Sequence, residues 1–112
     1  MSGITTHVLD TARGEPARGI TVTLLRVDET GATTLGVFQT DDDGRVRSLL
    51  DGASMAPGRY RLAFDTGGYL RARGGDGFFP VVTIDFEVRD AAKHYNVPLL
   101  LSPFGYSTYR GS

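Results

Sequence analysis

The chain has 112 residues and a formal charge of −1 at neutral pH, which suits one domain with one core and offers no field to draw in nucleic acid or an acidic membrane. It has no cysteine, which excludes a disulfide framework, a thiol nucleophile and a thiolate metal site. The amino end lacks a basic segment followed by an apolar one, no apolar run approaches the ~18 residues of a membrane span, and the last residues read Arg-Gly-Ser rather than Ser-Lys-Leu. These features lead to the expectation of a single cytoplasmic domain over residues 1–112.

Short β-rich runs alternate with turn chemistry about every ten residues, the pattern of an all-β sandwich or barrel. Residues 4–9 read as a first strand, followed by a loop through Pro16. Residues 20–27 alternate apolar and polar before Asp28-Glu29-Thr30-Gly31 and form a half-buried second strand. Residues 34–40 make a third. The tight turn Asp41-Asp42-Asp43-Gly44 delivers a fourth over 45–50. Pro57-Gly58 opens a fifth over 59–64, whose period of two puts Tyr60, Leu62 and Phe64 on one face. Asp65 or Thr66 is placed to cap a short helix through 69–73, in a stretch where nearby glycines lower helical propensity. Residues 80–88 and 94–101 are strong strands, and Pro103-Phe104-Gly105 turns the chain into the last one. The polar end Tyr109-Arg110-Gly111-Ser112 follows directly on that strand and is expected to dock against the fold.

Three clusters carry side chains capable of chemistry, and each has a plain structural reading beside it. In Thr5-Thr6-His7-Val8-Leu9-Asp10, alternation sets His7 opposite Ile4, Thr6 and Val8. An imidazole that titrates near neutrality can act as a base there, although most strand histidines are simply solvated or packed. Asp41-Asp42-Asp43-Gly44 lacks the further alternating ligands and the downstream glutamate of a calcium loop, so it reads as a solvated turn, with Arg45 immediately after it. The third cluster is Lys93-His94-Tyr95-Asn96-Val97-Pro98. By period two, Asn96, Pro98 and Leu100 share one face, and Ser107, Tyr109 and Gly111 share another on the last strand. Two histidines without cysteine make a poor structural zinc set, so no metal is expected.

The run from Val97 through Pro103-Phe104-Gly105-Tyr106-Ser107-Thr108 to the end Tyr109-Arg110-Gly111-Ser112 resembles the C-terminal signature of the 5-hydroxyisourate hydrolases, the transthyretin-like enzymes of urate breakdown. Thr6-His7-Val8-Leu9-Asp10 is similar to that family's first catalytic histidine motif, and Arg45 to its substrate-facing arginine. The resemblance implies an eight-stranded transthyretin-like sandwich with one short helix, no metal or organic cofactor, and a homotetramer built as a dimer of dimers with sites at a subunit interface. It further implies a catalytic set of His7, Arg45, position 96 and Ser112, with Tyr109, Arg110, Gly111, Pro98 and Leu100 contacting the substrate. In this scheme His7 activates water, Arg45 stabilises the oxyanion, and the end of the chain positions the ring, with the Ser112 carboxylate locking Arg110 or orienting a donor.

One position departs from the family pattern. Where the family has His-Tyr-His-Val-Pro, this chain has Asn96 in place of the second histidine. An amide donates and accepts hydrogen bonds but takes no proton at neutral pH, and loss of a general base typically costs about 10²- to 10⁴-fold. Three readings stand side by side: a natural variant in which His7 alone serves, an engineered trap, and a binding protein that has lost its chemistry. His94, about 7 Å along the same strand face, is a candidate substitute. The rival from another class is a transthyretin-like carrier of a small ligand. Its channel would be lined by neutral or apolar groups, against which His7 and Arg45 argue.

Overall fold

The computed structural model describes residues 3–112; Met1 and Ser2 lie outside the described residues. Alternating apolar side chains build two sheets whose inner faces meet in one core. The first sheet has β1 (Gly3–Asp10) at its centre. On one edge β1 pairs antiparallel with β5 (Arg45–Asp51) and, further along, with β2 (Glu15–Pro16). On the other it runs parallel to β8 (His94–Ser102), which pairs antiparallel with β9 (Gly105–Thr108). The second sheet is β4 (Gly31–Gln39), β3 (Thr21–Asp28), β6 (Gly58–Phe64) and β7 (Val82–Val88), in that order.

The expected face of β6 is the heart of the core: Tyr60, Leu62 and Phe64 are all buried, packed with Ile4 and Val8 of β1, Val22 and Leu24 of β3, and Val97, Leu99 and Leu101 of β8. Buried polar groups have partners. The Tyr60 hydroxyl donates to the Ala56 carbonyl at 2.7 Å and accepts from Arg26 at 3.0 Å. Thr6 donates to the Val97 carbonyl at 2.6 Å, a side-chain tie across the parallel pair.

The helix α1 (Thr66–Ala72) is capped by Asp65, whose carboxylate accepts from the Gly68 amide at 3.0 Å. Thr66, the other expected cap, donates instead to the Phe79 carbonyl at 2.7 Å. The Pro80 carbonyl accepts from the Gly67 amide. Residues 79–80 thus serve the helix, and β7 starts at Val82 rather than at 80. Two further boundaries differ from the sequence reading. The third long strand begins at Gly31 instead of 34, because its hairpin with β3 closes directly at Asp28 and Gly31. The loop expected through Pro16 contains the two-residue strand β2, held by pairing of Glu15 and Pro16 with Asp10 and Leu9.

The helix is fastened to the first sheet through Tyr69, whose hydroxyl donates to Asp10 Oδ2 at 2.9 Å with both side chains buried. Burial, the hydrogen bond and the Asp10 charge push the Tyr69 phenol up to about 12. Removing the hydroxyl leaves a buried carboxylate short of a donor. Tyr69→Phe is therefore expected to lower the unfolding free energy by about 1–3 kcal/mol in denaturant titrations, and an unchanged midpoint would contradict this account of the helix anchor.

Candidate active site

The outer face of the first sheet gathers most of the chemistry-bearing residues. Along β1, Ile4, Thr6, Val8 and Asp10 point inward, which turns Thr5, His7 and Leu9 outward. The parallel register sets Thr5 beside Asn96, His7 beside Pro98 and Leu9 beside Leu100. On the opposite edge of β1, His7 is paired directly with Arg45, and Leu100 is paired with Ser107 of β9. Arg45, His7 and Pro98 therefore form one row across three strands, with Thr5 and Asn96 in the neighbouring row and Leu9, Leu100 and Ser107 on the other side.

Arg45 is delivered to this row by the turn before it. The Asp41 carboxylate accepts from the backbone amides of Asp43 at 2.9 Å and Arg45 at 3.0 Å. The hydrogen bond from Arg45, followed by that from Asp43, holds the Asp41 carboxyl below its usual range despite an opposing effect of burial. Gly44 has φ of 76° and gives its carbonyl to the Val8 amide at 2.7 Å. A β-carbon on Gly44 would run into the Val8 carbonyl oxygen, so only glycine lets the turn lie against β1. Asp43 is engaged by Arg47 at 2.9 Å. Asp41 and Asp43 thus hold a turn that carries the chain from one sheet to the other and sets Arg45 opposite His7, while Asp42 points to solvent near Arg18.

The His7 imidazole is displaced below 6.5, first by partial burial and second by the Arg45 guanidinium; the backbone of Asp43 and the Asp43 and Asp41 carboxylates oppose the shift. The ring is accordingly neutral at neutral pH and able to take a proton. Alongside it, a cleft of about 250 Å³ is walled by Thr5, Arg45, Arg47, His94, Asn96 and Ser112. His7 borders this cleft through its pairing with Arg45 rather than forming its wall. Two of the wall residues were not singled out from the sequence, namely Thr5 and Arg47. The signal for both was the period of two, since each stands two places from a residue already chosen.

The tail docks as expected, in two directions. The Gly111 amide donates to the Asn96 carbonyl at 2.9 Å. The Asn96 side chain lies so close to Gly111 that any β-carbon there would collide with its amide nitrogen. Ser112 then reaches the cleft. Tyr109 and Arg110 go elsewhere: they border a second cleft of about 340 Å³, with Ile84, Phe86, Tyr95 and Val97, at the open edge between the sheets. The expected lock between Ser112 and Arg110 is replaced by stacking, with the Arg110 guanidinium 4.6 Å from the centre of the Tyr95 ring. β9 ends at Thr108, whose hydroxyl donates to the Pro98 carbonyl at 2.6 Å, so the alternation read through Tyr109 and Gly111 does not continue. Pro98 is buried and Leu100 half-buried on the outer face. A larger hollow of about 500 Å³, lined by Asp28, Glu29, Asp85 and Glu87 with Arg59, contains neither imidazole and lies away from this constellation.

Residues 4–111 match the HIUase/Transthyretin family. A 5-hydroxyisourate hydrolase of Caulobacter vibrioides is 48% identical over 116 aligned positions that span 100% of both chains. The solved structure of Klebsiella pneumoniae 5-hydroxyisourate hydrolase is similar with a TM-score of 0.86 at 39% identity, covering 99% of this chain and 100% of that one. Sea bream transthyretin in complex with thyroxine is similar with a TM-score of 0.91 at 29% identity, covering 96% of this chain and 93% of that one.

The electrostatic coupling on the outer face can be measured without substrate. In an NMR titration the His7 ring is expected to gain its proton only below pH 6.5, and Arg45→Gln to move that titration upward by removing one of the two causes that lower it. A His7 titration above 6.5 in the parent protein, or one that Arg45→Gln leaves in place, would contradict the coupling.

Proposed function

The chain belongs to the HIUase/Transthyretin family, and from that premise we propose that it hydrolyses 5-hydroxyisourate. The product is 2-oxo-4-hydroxy-4-carboxy-5-ureidoimidazoline, in urate degradation. The observation that carries the reading is the direct cross-strand pairing of His7 with Arg45 on one outer face. His7, neutral at neutral pH, takes a proton from water as its oxygen attacks the ring carbonyl carbon. The carbonyl electrons move to oxygen, where the Arg45 guanidinium meets the developing charge. Collapse of that intermediate breaks the carbon–nitrogen bond, and the imidazolium of His7 returns its proton to the leaving nitrogen.

Asn96 and Ser112, on the cleft wall, orient the ring, and Gly111, having no side chain, lets the end of the chain close against Asn96 so that Ser112 reaches that wall. Leu100, half-buried, supplies apolar surface and Pro98 packs buried beside His7, while Tyr109 and Arg110 act from the neighbouring cleft. The scheme calls on no metal or organic cofactor. A carrier function like that of transthyretin is the weaker reading, because a base and a guanidinium side by side are costly to bury against a neutral ligand and suit charge that develops during reaction.

The assembly belongs to the same proposal. A cleft of about 250 Å³ on one copy is smaller than the roughly 300–1,000 Å³ of ordinary ligand pockets. It lies on a sheet face that also carries Leu9, Pro98 and Leu100. Two such faces opposed by a twofold axis would deepen the pocket and cover the apolar rows, and a second twofold would give a homotetramer as a dimer of dimers. The proposal takes residues 1–112 as one domain, because both sheets contribute to one core. It places the protein in the cytoplasm, in keeping with the finding that, among the described residues, no helix is long and apolar enough to cross a membrane.

Decay of 5-hydroxyisourate, generated from urate by uricase, tests the chemistry. The parent protein is expected to accelerate decay, and His7→Ala or Arg45→Ala to remove about 10²-fold or more of that rate with unchanged thermal unfolding. Folded variants that keep the parental rate would refute the assignment of roles. For the assembly, light scattering at micromolar concentration is expected to give the mass of four chains, and a monomeric mass would refute the shared site.

A further inference from the structure

Thr5 stands outward on β1, two places before His7, and its hydroxyl is shared by two side chains of β8. Its Oγ1 lies 3.1 Å from Nε2 of His94 and 3.0 Å from Oδ1 of Asn96. All three groups line the cleft that holds Arg45 and Ser112. A hydroxyl has one proton, so in such a chain it donates to one neighbour and accepts from the other.

Two polarities satisfy that condition. In one, His94 carries its proton on Nε2 and donates to Thr5, Thr5 donates to Oδ1 of Asn96, and the amide nitrogen faces away from Thr5. In the other every bond reverses: the Asn96 amide donates to Thr5, Thr5 donates to a bare Nε2, and the amide oxygen faces away. The structure has the first. Thr5 donates to Oδ1, and Nδ2 packs against Gly111 at the end of the cleft where Ser112 enters. Asn96 thereby presents N–H groups, the donor half of what an imidazole at this position would supply, and leaves proton abstraction to His7.

We infer that Thr5 and His94 are positioning residues that fix the Asn96 amide with its N–H groups turned toward the Ser112 end of the cleft, so that position 96 recognises a carbonyl oxygen of the substrate ring. The inference rests on the reading of this cleft as the hydrolytic site. Its physical content is separate, because the polarity of the chain is a property of the free protein. Neither residue needs to touch the substrate. Their effect passes through Asn96, whose hydrogen bond to a ring oxygen strengthens as charge develops there, so the loss falls on kcat more than on KM.

Nitrogen-15 NMR of the free protein reads the polarity directly. The neutral His94 ring is expected as the Nε2–H tautomer in the parent and in Thr5→Ser, and as a mixture in Thr5→Val. A neutral His94 protonated on Nδ1 in the parent would overturn the inference. In the 5-hydroxyisourate assay, Thr5→Val is expected to lower kcat about tenfold with a much smaller change in KM, and Thr5→Ser to restore it. A folded Thr5→Val protein with parental kcat would also overturn it. A parent with the Nε2–H tautomer but no hydrolysis would sink the functional reading and leave the orientation of Asn96 standing.

Discussion

The parallel pairing of β1 with β8 is the constraint on which the rest of this molecule depends. It joins the first strand of the described chain to the last long one, and its register sets every relation on the outer face: Thr5 with Asn96, His7 with Pro98, Leu9 with Leu100. A slip of one residue would exchange the faces of β8, turning Tyr95, Val97 and Leu99 out to solvent and Asn96 into the core. The register is therefore held by the same apolar burial that holds the fold. Thr6 adds a specific pin, because its buried hydroxyl reaches the Val97 carbonyl across the pair. Stability and site geometry are two consequences of one alignment.

On that alignment the chemistry is arranged by short-range devices. The Asp41 to Gly44 turn spends its carboxylate on backbone amides and its glycine on close contact with β1. The outcome is a guanidinium opposite an imidazole. Partial burial disfavours protonation of His7, and proximity to the Arg45 guanidinium acts in the same direction. Burial first, and then the residue that would stabilise the negative charge arising after attack, favour the ring's basic form. The opposing carboxylates of Asp41 and Asp43 limit the effect, and both are already engaged, by the turn and by Arg47.

Much of this was legible in the sequence, and the reasons are local. The period of two on residues 4–9 and 59–64 assigned inward and outward faces correctly, because alternation on a half-buried strand is enforced residue by residue. The cap at Asp65 and the turn at 41–44 were legible for the same reason. Contacts between distant segments were not. Nothing in residues 4–9 or 94–101 taken singly says that they run side by side in parallel; the resemblance to a known family implied only that His7 and position 96 serve one site, and the pairing itself is a finding of the structure. The same limit explains the tail. Alternation carried past Thr108 placed Tyr109 with Gly111, whereas the attraction of Arg110 to the Tyr95 ring and the bridge from Gly111 to Asn96 send neighbouring residues to different clefts. The period of two puts Thr5 on the outward face with His7, but its contacts with His94 and Asn96 depend on the pairing of β1 with β8 and have no local signature.

The central claim is that the substrate ring sits on the outer face of the first sheet, against Arg45 and His7, with Asn96 at its side. A crystal structure of the protein with a stable cyclic ureide analogue of 5-hydroxyisourate tests it most directly. The account predicts ring density within hydrogen-bonding distance of Arg45 and Asn96, between two copies of the chain. Density confined to the cleft of Ile84, Tyr95 and Tyr109, with the His7 face empty, would contradict it.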